Sequence, residues 1–193
     1  RFRTEQAGVT QLDHFTAEAE TGGIDTCARD PEPWARVGTG APQWRNAPTG
    51  RPALHGQIYE FFVRPDRANM DGLVALSQGP QTSWSKLAAI VRFNSTGTVD
   101  VRNGGAYQAD AVFNYVPGKT YRIFIDAYVS PDPASSPHSY SVSISEVGSA
   151  PVRIANKYRF RTEQQGVTDL TNWVAEAELG GLTAYLAPNR WGY

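Results

Sequence analysis

Apolar and polar positions alternate with a period of two along much of the chain from Gln57 onward, the spacing of half-buried β-strands. Tyr59, Phe61 and Val63 predict a strand from Gln57 to Arg64, closed by Arg64-Pro65-Asp66 because proline cannot donate to a ladder. Leu73 to Leu76 predicts the next strand. Leu87, Ala89, Val91 and Phe93 share one face of a strand that returns through Val99 and Val101 after Ser95-Thr96-Gly97, where Gly97 supplies a positive φ. With Asn94 opposite Thr98, Arg92 falls opposite Asp100 and Ile90 opposite Arg102, a polar-leaning face beside an apolar one. Tyr121 to Val129 and Ser139 to Val147 are two further strands, separated by Ser130-Pro-Asp-Pro-Ala-Ser-Ser-Pro137. On the second of these Tyr140, Val142 and Ile144 point inward. Ser141, Ser143 and Ser145 then form a row of small hydroxyls, read either as a solvated face or as room for a ligand above the sheet.

Between Thr26 and Pro52 the chain is rich in Pro, Gly and Arg, carries Trp34 and Trp44, and has no sustained period, so it reads as a long surface connection. A repeat frames the whole. Arg1-Phe-Arg-Thr-Glu-Gln6 reappears as Arg159-Phe-Arg-Thr-Glu-Gln164, and the match continues through Gly8-Val-Thr10 with Gly166-Val-Thr168, Leu12 with Leu170, Phe15 with Trp173, and Ala17-Glu-Ala-Glu20 with Ala175-Glu-Ala-Glu178. Within each copy Phe160 and the Val174-to-Glu178 alternation fit half-buried strands joined by a polar, glycine-containing turn; Gly180-Gly181 would end a helix there almost at once. These elements predict an all-β fold, an antiparallel two-sheet jelly-roll sandwich. It divides into a duplicated terminal strand unit at 1–25 that repeats 159–182, an irregular connection at 26–55 and the main sandwich at 56–193, one structural domain overall.

Charge narrows the partners. With 18 Lys and Arg against 19 Asp and Glu among 193 residues, no single-sign field is present to hold a nucleic-acid backbone. The apolar runs fall far short of a membrane span, so no membrane insertion is expected. Cys27 is the single cysteine, which excludes an internal disulfide and a cysteine-based zinc cluster. The chain opens at Arg1 with neither Met nor an apolar signal segment, a start shared by processed secreted proteins and trimmed chains; a secreted, extracellular location is the expectation. Asn94-Ser95-Thr96 is a formal glycosylation acceptor.

Leu87 to Gln164 resembles a family of concanavalin-like β-sandwich modules found in secreted bacterial multidomain proteins, often beside carbohydrate-active or adhesive domains. The resemblance is carried by Ala88-Ala-Ile-Val-Arg-Phe-Asn94, Arg102-Asn-Gly-Gly-Ala-Tyr107, Val116-Pro-Gly-Lys-Thr-Tyr-Arg122, Ser139-Tyr-Ser-Val142 and Tyr158-Arg-Phe-Arg-Thr-Glu-Gln164. It implies a concanavalin A-like jelly roll, lectin-like or glucanase-like. In such modules the Phe-Arg-Thr-Glu-Gln segment closes the domain. Its second appearance at residues 1–6 therefore marks either the tail of a preceding copy or a strand that occupies a slot in this or a neighbouring molecule. The latter gives self-association through 1–25 and 159–182, as in an adhesin or extracellular filament.

Catalytic sets are sparse. Glu18-Ala-Glu20 and Glu176-Ala-Glu178 have the alternation of a glycanase carboxylate pair, but a catalytic pair duplicated at both ends would be odd, and the pattern reads as an outward, solvated strand face. Arg3-Thr4-Glu5, Gln57-Ile58-Tyr59 and Tyr107-Gln108 echo an alginate-lyase-like order, but Tyr59 stands where a histidine belongs and the lysine is missing. His14, His55 and His138 have no ligand spacing, and no Gly-x-Ser-x-Gly elbow is present. No cofactor is expected. Structural calcium stays open at Asp66-Arg-Ala-Asn-Met-Asp71, which reads equally as an Asx-rich turn. Binding equipment is better represented: Trp84 in the polar loop Gln81-Thr-Ser-Trp-Ser-Lys86, Tyr107 behind Arg102-Asn103-Gly104-Gly105, where missing side chains admit a ligand to the backbone, and Arg92, Asn94 and Arg102 on the polar side of the hairpin. The expectation is a noncatalytic carbohydrate-binding module for a polysaccharide or glycan, with ligand contacts at Trp84, Arg92, Asn94, Arg102, Asn103 and Tyr107. A polysaccharide lyase or glycanase is the enzymatic alternative.

Overall fold

The computed structural model describes residues 35–37, 43–50, 53 and 56–187. Residues 1–25, with Phe15, Glu18 and Glu20, lie outside these, as do Cys27, Trp34, His14 and His55. In chain order the strands are β1 (Ala35–Val37), β2 (Arg45–Pro48), β3 (Gln57–Pro65), β4 (Asp71–Ser77), β5 (Ala89–Phe93), β6 (Val99–Asn103), β7 (Ala106–Gln108), β8 (Tyr121–Tyr128), β9 (Ser139–Glu146), β10 (Val152–Arg159), β11 (Asn172–Leu179) and β12 (Leu182–Leu186). They form two six-stranded sheets, ordered β1-β12-β3-β8-β9-β10 and β2-β11-β4-β5-β6-β7. Every pair is antiparallel. This is the jelly-roll sandwich that the alternation predicts, and among the described residues no helix is long and apolar enough to cross a membrane.

The core follows from the period of two. Tyr59, Phe61 and Val63 on β3, Ile123 and Ile125 on β8, and Tyr140, Val142 and Ile144 on β9 face Val74, Leu76, Val91, Phe93, Val101 and Trp173 of the other sheet. Each such side chain stabilises the fold by about 1.5–3 kcal/mol through removal from water. Tyr140 reaches right across. Its hydroxyl accepts the Ile90 N–H at 3.2 Å and donates to the Arg102 carbonyl, tying the two sheets together in a place where water cannot substitute. Tyr140→Phe is expected to lower unfolding stability by about 1–2 kcal/mol, read from the urea midpoint; an unchanged midpoint would show that the hydroxyl contributes nothing.

Several expectations need correction. The 26–55 connection is not wholly irregular, since β1 and β2 pair there at the outer edges of the two sheets; edge positions tolerate short strands and the terminal Pro48. Leu87 does not share the inward face of Ala89, Val91 and Phe93. A 3-10 turn at Trp84–Lys86 precedes it, and it packs with Leu73 and Ile90 on the opposite side of the sheet. Phe160 falls just past β10 in the crossing between sheets, buried against His138 and Tyr140 at ring separations of 5.3 and 5.9 Å. The two strands of the 159–182 repeat are therefore not a hairpin: β10 ends in one sheet and β11 lies in the other. Nor is β11 half-buried, as Asn172 to Ala177 are buried on both faces.

At the sheet-to-sheet corners the glycines do specific work. Gly180 takes φ +89° between β11 and β12, and a Cβ there would strike Arg67 and Met70 at 2.7–2.9 Å. Gly181 exchanges bonds with the β3–β4 corner: its N–H donates to Asp66 Oδ1 at 2.6 Å and its carbonyl accepts the Asp66 N–H at 3.0 Å. Asp66 is thereby tied to the β11–β12 corner, and Asp71 stands at the head of β4.

Candidate functional site

The outer face of the second sheet is laid out by its register. Val174 on β11 lies between Asn46 on β2 and Ala75 on β4, and Ala75 faces Ile90 on β5. In the next row Glu176 faces Leu73, Leu73 faces Arg92, and Arg92 faces Asp100 on β6. Leu73, Ala75, Leu87, Ile90 and Val174 form an apolar floor, with Trp44, Trp84 and Tyr107 packed against it.

Onto this floor the chain places polar atoms that have nothing to bond. Glu176 is 0% exposed, and neither of its carboxyl oxygens has a hydrogen-bond partner among the described residues. Burial, reinforced by the neighbouring carboxyls of Glu178 and then Asp71, pushes its pKa up to about 8. The Asp71 carboxyl is also raised, first by burial and against the pull of Arg92, and its Oδ1 is without a partner. The indole Nε1 of Trp84 and the hydroxyl of Tyr107 are likewise buried and unsatisfied. Such atoms are rare in folded proteins and each costs about 1–3 kcal/mol, so their concentration on one face calls for a reason.

Arginines frame the site at its β6–β7 side. Arg92 grips Asp100 through two hydrogen bonds of 2.9 and 2.8 Å and lies 3.8 Å over the Tyr107 ring; Arg102 lies 5.0 Å over the same ring. Burial pushes the Tyr107 hydroxyl up to about 12, so it stays a donor at any physiological pH. Trp84 meets Trp44 edge to face at 6.3 Å.

The structure thus brings Trp84, Arg92, Arg102 and Tyr107 to one face. Asn94 and Asn103 are placed differently. Asn94 Oδ1 accepts the N–H groups of Thr96 and Thr98 at 3.0 and 3.2 Å while its Nδ2 donates to Asp100 at 2.8 Å, which knots the β5–β6 turn. Asn103 Oδ1 accepts the Arg159 N–H at 3.0 Å. At the Gly104-Gly105 turn Gly104 donates to the Arg159 carbonyl at 3.1 Å, while Gly105 stays exposed. The lyase-like residues are separated as well, with Tyr59 buried in the core of the first sheet and Tyr107 on the outermost strand of the second.

Glu176 reads in the sequence as outward and solvated; it is neither, because Leu73 and Val174 flank it on a covered face. The signal that marks this face is the unbroken apolar run Gly72-Leu-Val-Ala-Leu76, the mark of a strand buried on both sides.

The topology is that of an antiparallel two-sheet jelly roll. No protein-family model matches the chain, and no curated protein matches it. Among solved structures, the catalytic domain of the glycoside hydrolase family 131 protein from Coprinopsis cinerea aligns with a TM-score of 0.45 at 10% identity, over 72% of this chain and 58% of that one. A sialidase aligns with a TM-score of 0.49 at 12% identity over 78% of this chain, which spans 14% of the sialidase. Galectin LEC-6 from Caenorhabditis elegans aligns with a TM-score of 0.40 at 16% identity, over 79% of this chain and 96% of the galectin. These are likenesses of strand arrangement, and no residue role is carried over from them.

Proposed function

We propose that the chain is an extracellular lectin-like module that binds a glycan across the outer face of the second sheet and performs no chemistry on it. The observation that supports this reading is the set of buried, unpartnered polar atoms of Asp71, Trp84, Tyr107 and Glu176 on an apolar floor beside two tryptophans. A sugar ring offers the complement: C–H faces for the indoles, and hydroxyls that donate and accept.

A glycan array followed by calorimetric titration tests the reading. Trp84→Ala and Tyr107→Ala are each expected to weaken the best ligand about tenfold or more, since a lost contact of ~1.4 kcal/mol suffices. No saturable binding to neutral or acidic glycans by folded protein would remove it.

Glu176 also favours a second reading, a glycanase. A carboxyl held neutral beside Glu178 and Asp71 has the makings of a general acid with a carboxylate partner. New reducing ends released by the wild type and abolished in Glu176→Gln would convert the module into an enzyme. Assembly is a third reading: β11 comes from the repeated segment, so residues 1–25, with much of the same sequence, can compete for its place in a neighbouring molecule. Light scattering that finds a monomer at all concentrations after refolding would dispose of it.

A further inference from the structure

The outer face of the first sheet carries a recess on the other side of the sandwich from Glu176. Alternation leaves Asp126 and Tyr128 of β8 and Ser139 and Ser141 of β9 on this face, with Asp126 opposite Ser141 and Tyr128 opposite Ser139. The serine row is not a fully solvated surface, since Ser141 is 9% and Ser145 3% exposed. β10 extends the two rows, but its register slips between Arg153 and Ala155 and again between Ala155 and Tyr158.

At the second slip Lys157 takes φ +53°, and it is the single non-glycine residue with positive φ among those described. Its N–H donates to Ser141 Oγ at 3.0 Å, and Arg159 resumes the row opposite Ser139. Asp126, Tyr128, Ser139, Ser141, Lys157 and Arg159 enclose a depression of about 560 Å³.

Two features set this recess apart from ordinary surface. The first is charge. Lys157 and Arg159, both exposed, line the same hollow, and neither side chain forms an ion pair among the described residues. The second is strain. Left-handed backbone is disfavoured for a residue with a Cβ, glycine would adopt it freely, and the exposed Lys157 side chain gains no packing in return. What the conformation does achieve is to set a cation beside Arg159 at the edge of a hydroxyl-lined hollow.

We infer that this recess is a second binding site, taking a carboxylate- or sulfate-bearing sugar ring of an acidic glycan. The ring lies on Tyr128, its hydroxyls meet Ser139 and Ser141, and its anionic group pairs with Lys157 and Arg159. Asp126 accepts a ring hydroxyl and repels a second anion, which fixes the orientation of the ring.

The test titrates the full chain at low salt with an oligogalacturonate, a heparin-derived oligosaccharide and a neutral cello-oligosaccharide. Binding of an acidic oligosaccharide that weakens about tenfold in both Arg159→Gln and Lys157→Gly, and that falls with added salt, supports the site; the tighter acidic ligand identifies the anionic group. Lys157→Gly also relieves the backbone, so its melting temperature should rise by about 2–4 °C while binding falls, which excludes misfolding as the cause. Trp84→Ala should leave this binding intact. Acidic ligands that bind both cation variants as well as the wild type, or that lose affinity in Trp84→Ala alone, would overturn the inference while leaving the second-sheet reading standing.

Discussion

Unfolding stability should fall between about pH 5 and pH 8, and Glu176→Gln should flatten that fall. The Glu176 carboxyl has an ordinary value of 4.5 and is pushed up to about 8 in the fold. The folded protein therefore keeps a proton that the unfolded chain releases in this interval. The stabilisation is complete below the unfolded value and is lost as pH climbs through the folded one. At ~1.4 kcal/mol per pKa unit it is on the order of 4–5 kcal/mol, a large part of the 5–15 kcal/mol typical of a domain. Asp71, also raised by burial, acts in the same direction and leaves a residual slope. Urea unfolding of wild type and Glu176→Gln at pH 5, 6.5 and 8 isolates the one carboxyl: similar stability at pH 5 and a clear advantage for the glutamine variant at pH 8. Parallel curves for the two proteins would mean that Glu176 is ionised in the native state.

Trp173→Ala is expected to cost about 3–5 kcal/mol, and Trp173→Phe less than about 1.5 kcal/mol. Trp173 is 7% exposed, sits between Ala47 and Leu76 in register, and meets Phe61 of the opposite sheet edge to face at 6.0 Å. Truncation would empty the centre of the core, where the facing sheets cannot close the gap. Phenylalanine keeps the aromatic contact, and the matching position of the repeat is Phe15. Equal losses in both variants, measured at the urea midpoint, would show that the indole's extra volume rather than its contact with Phe61 holds the sheets together.

Local rules made much of the sandwich readable. The β5–β6 register, with Arg92 opposite Asp100 and Asn94 bonded to Thr98, follows from the turn at Ser95-Thr96-Gly97 and the alternation on either side. What failed was whatever depended on distant chain. β1 and β2 are short, and their pairing with β12 and β11 has no local trace in a proline-rich stretch. β10 hides because two register slips scramble its period. The Glu176 environment is made by Leu73, about a hundred residues away in sequence, so alternation alone reads the side chain as solvated. Trp84, Arg92, Arg102 and Tyr107 converge because they flank one hairpin and its neighbours. Asn94 bonds the backbone of its own turn, as short amides do where a turn offers unpaired N–H groups, whereas Asn103 is claimed by the distant Arg159 N–H, which no local rule foretells.

The order of the strands bears on how the chain is made. β11 lies between β2 and β4, and β12 between β1 and β3, so both sheets are closed by strands that emerge after all the other described ones. A nascent chain lacking them holds two long, internally paired blocks, β4 to β7 and β8 to β10 with β3, whose open edges wait for partners more than a hundred residues downstream of β2. Folding is thus gated by the arrival of β11 and β12, and in the interval the ladders of β3 and β4 stand exposed as templates for any strand of matching sequence.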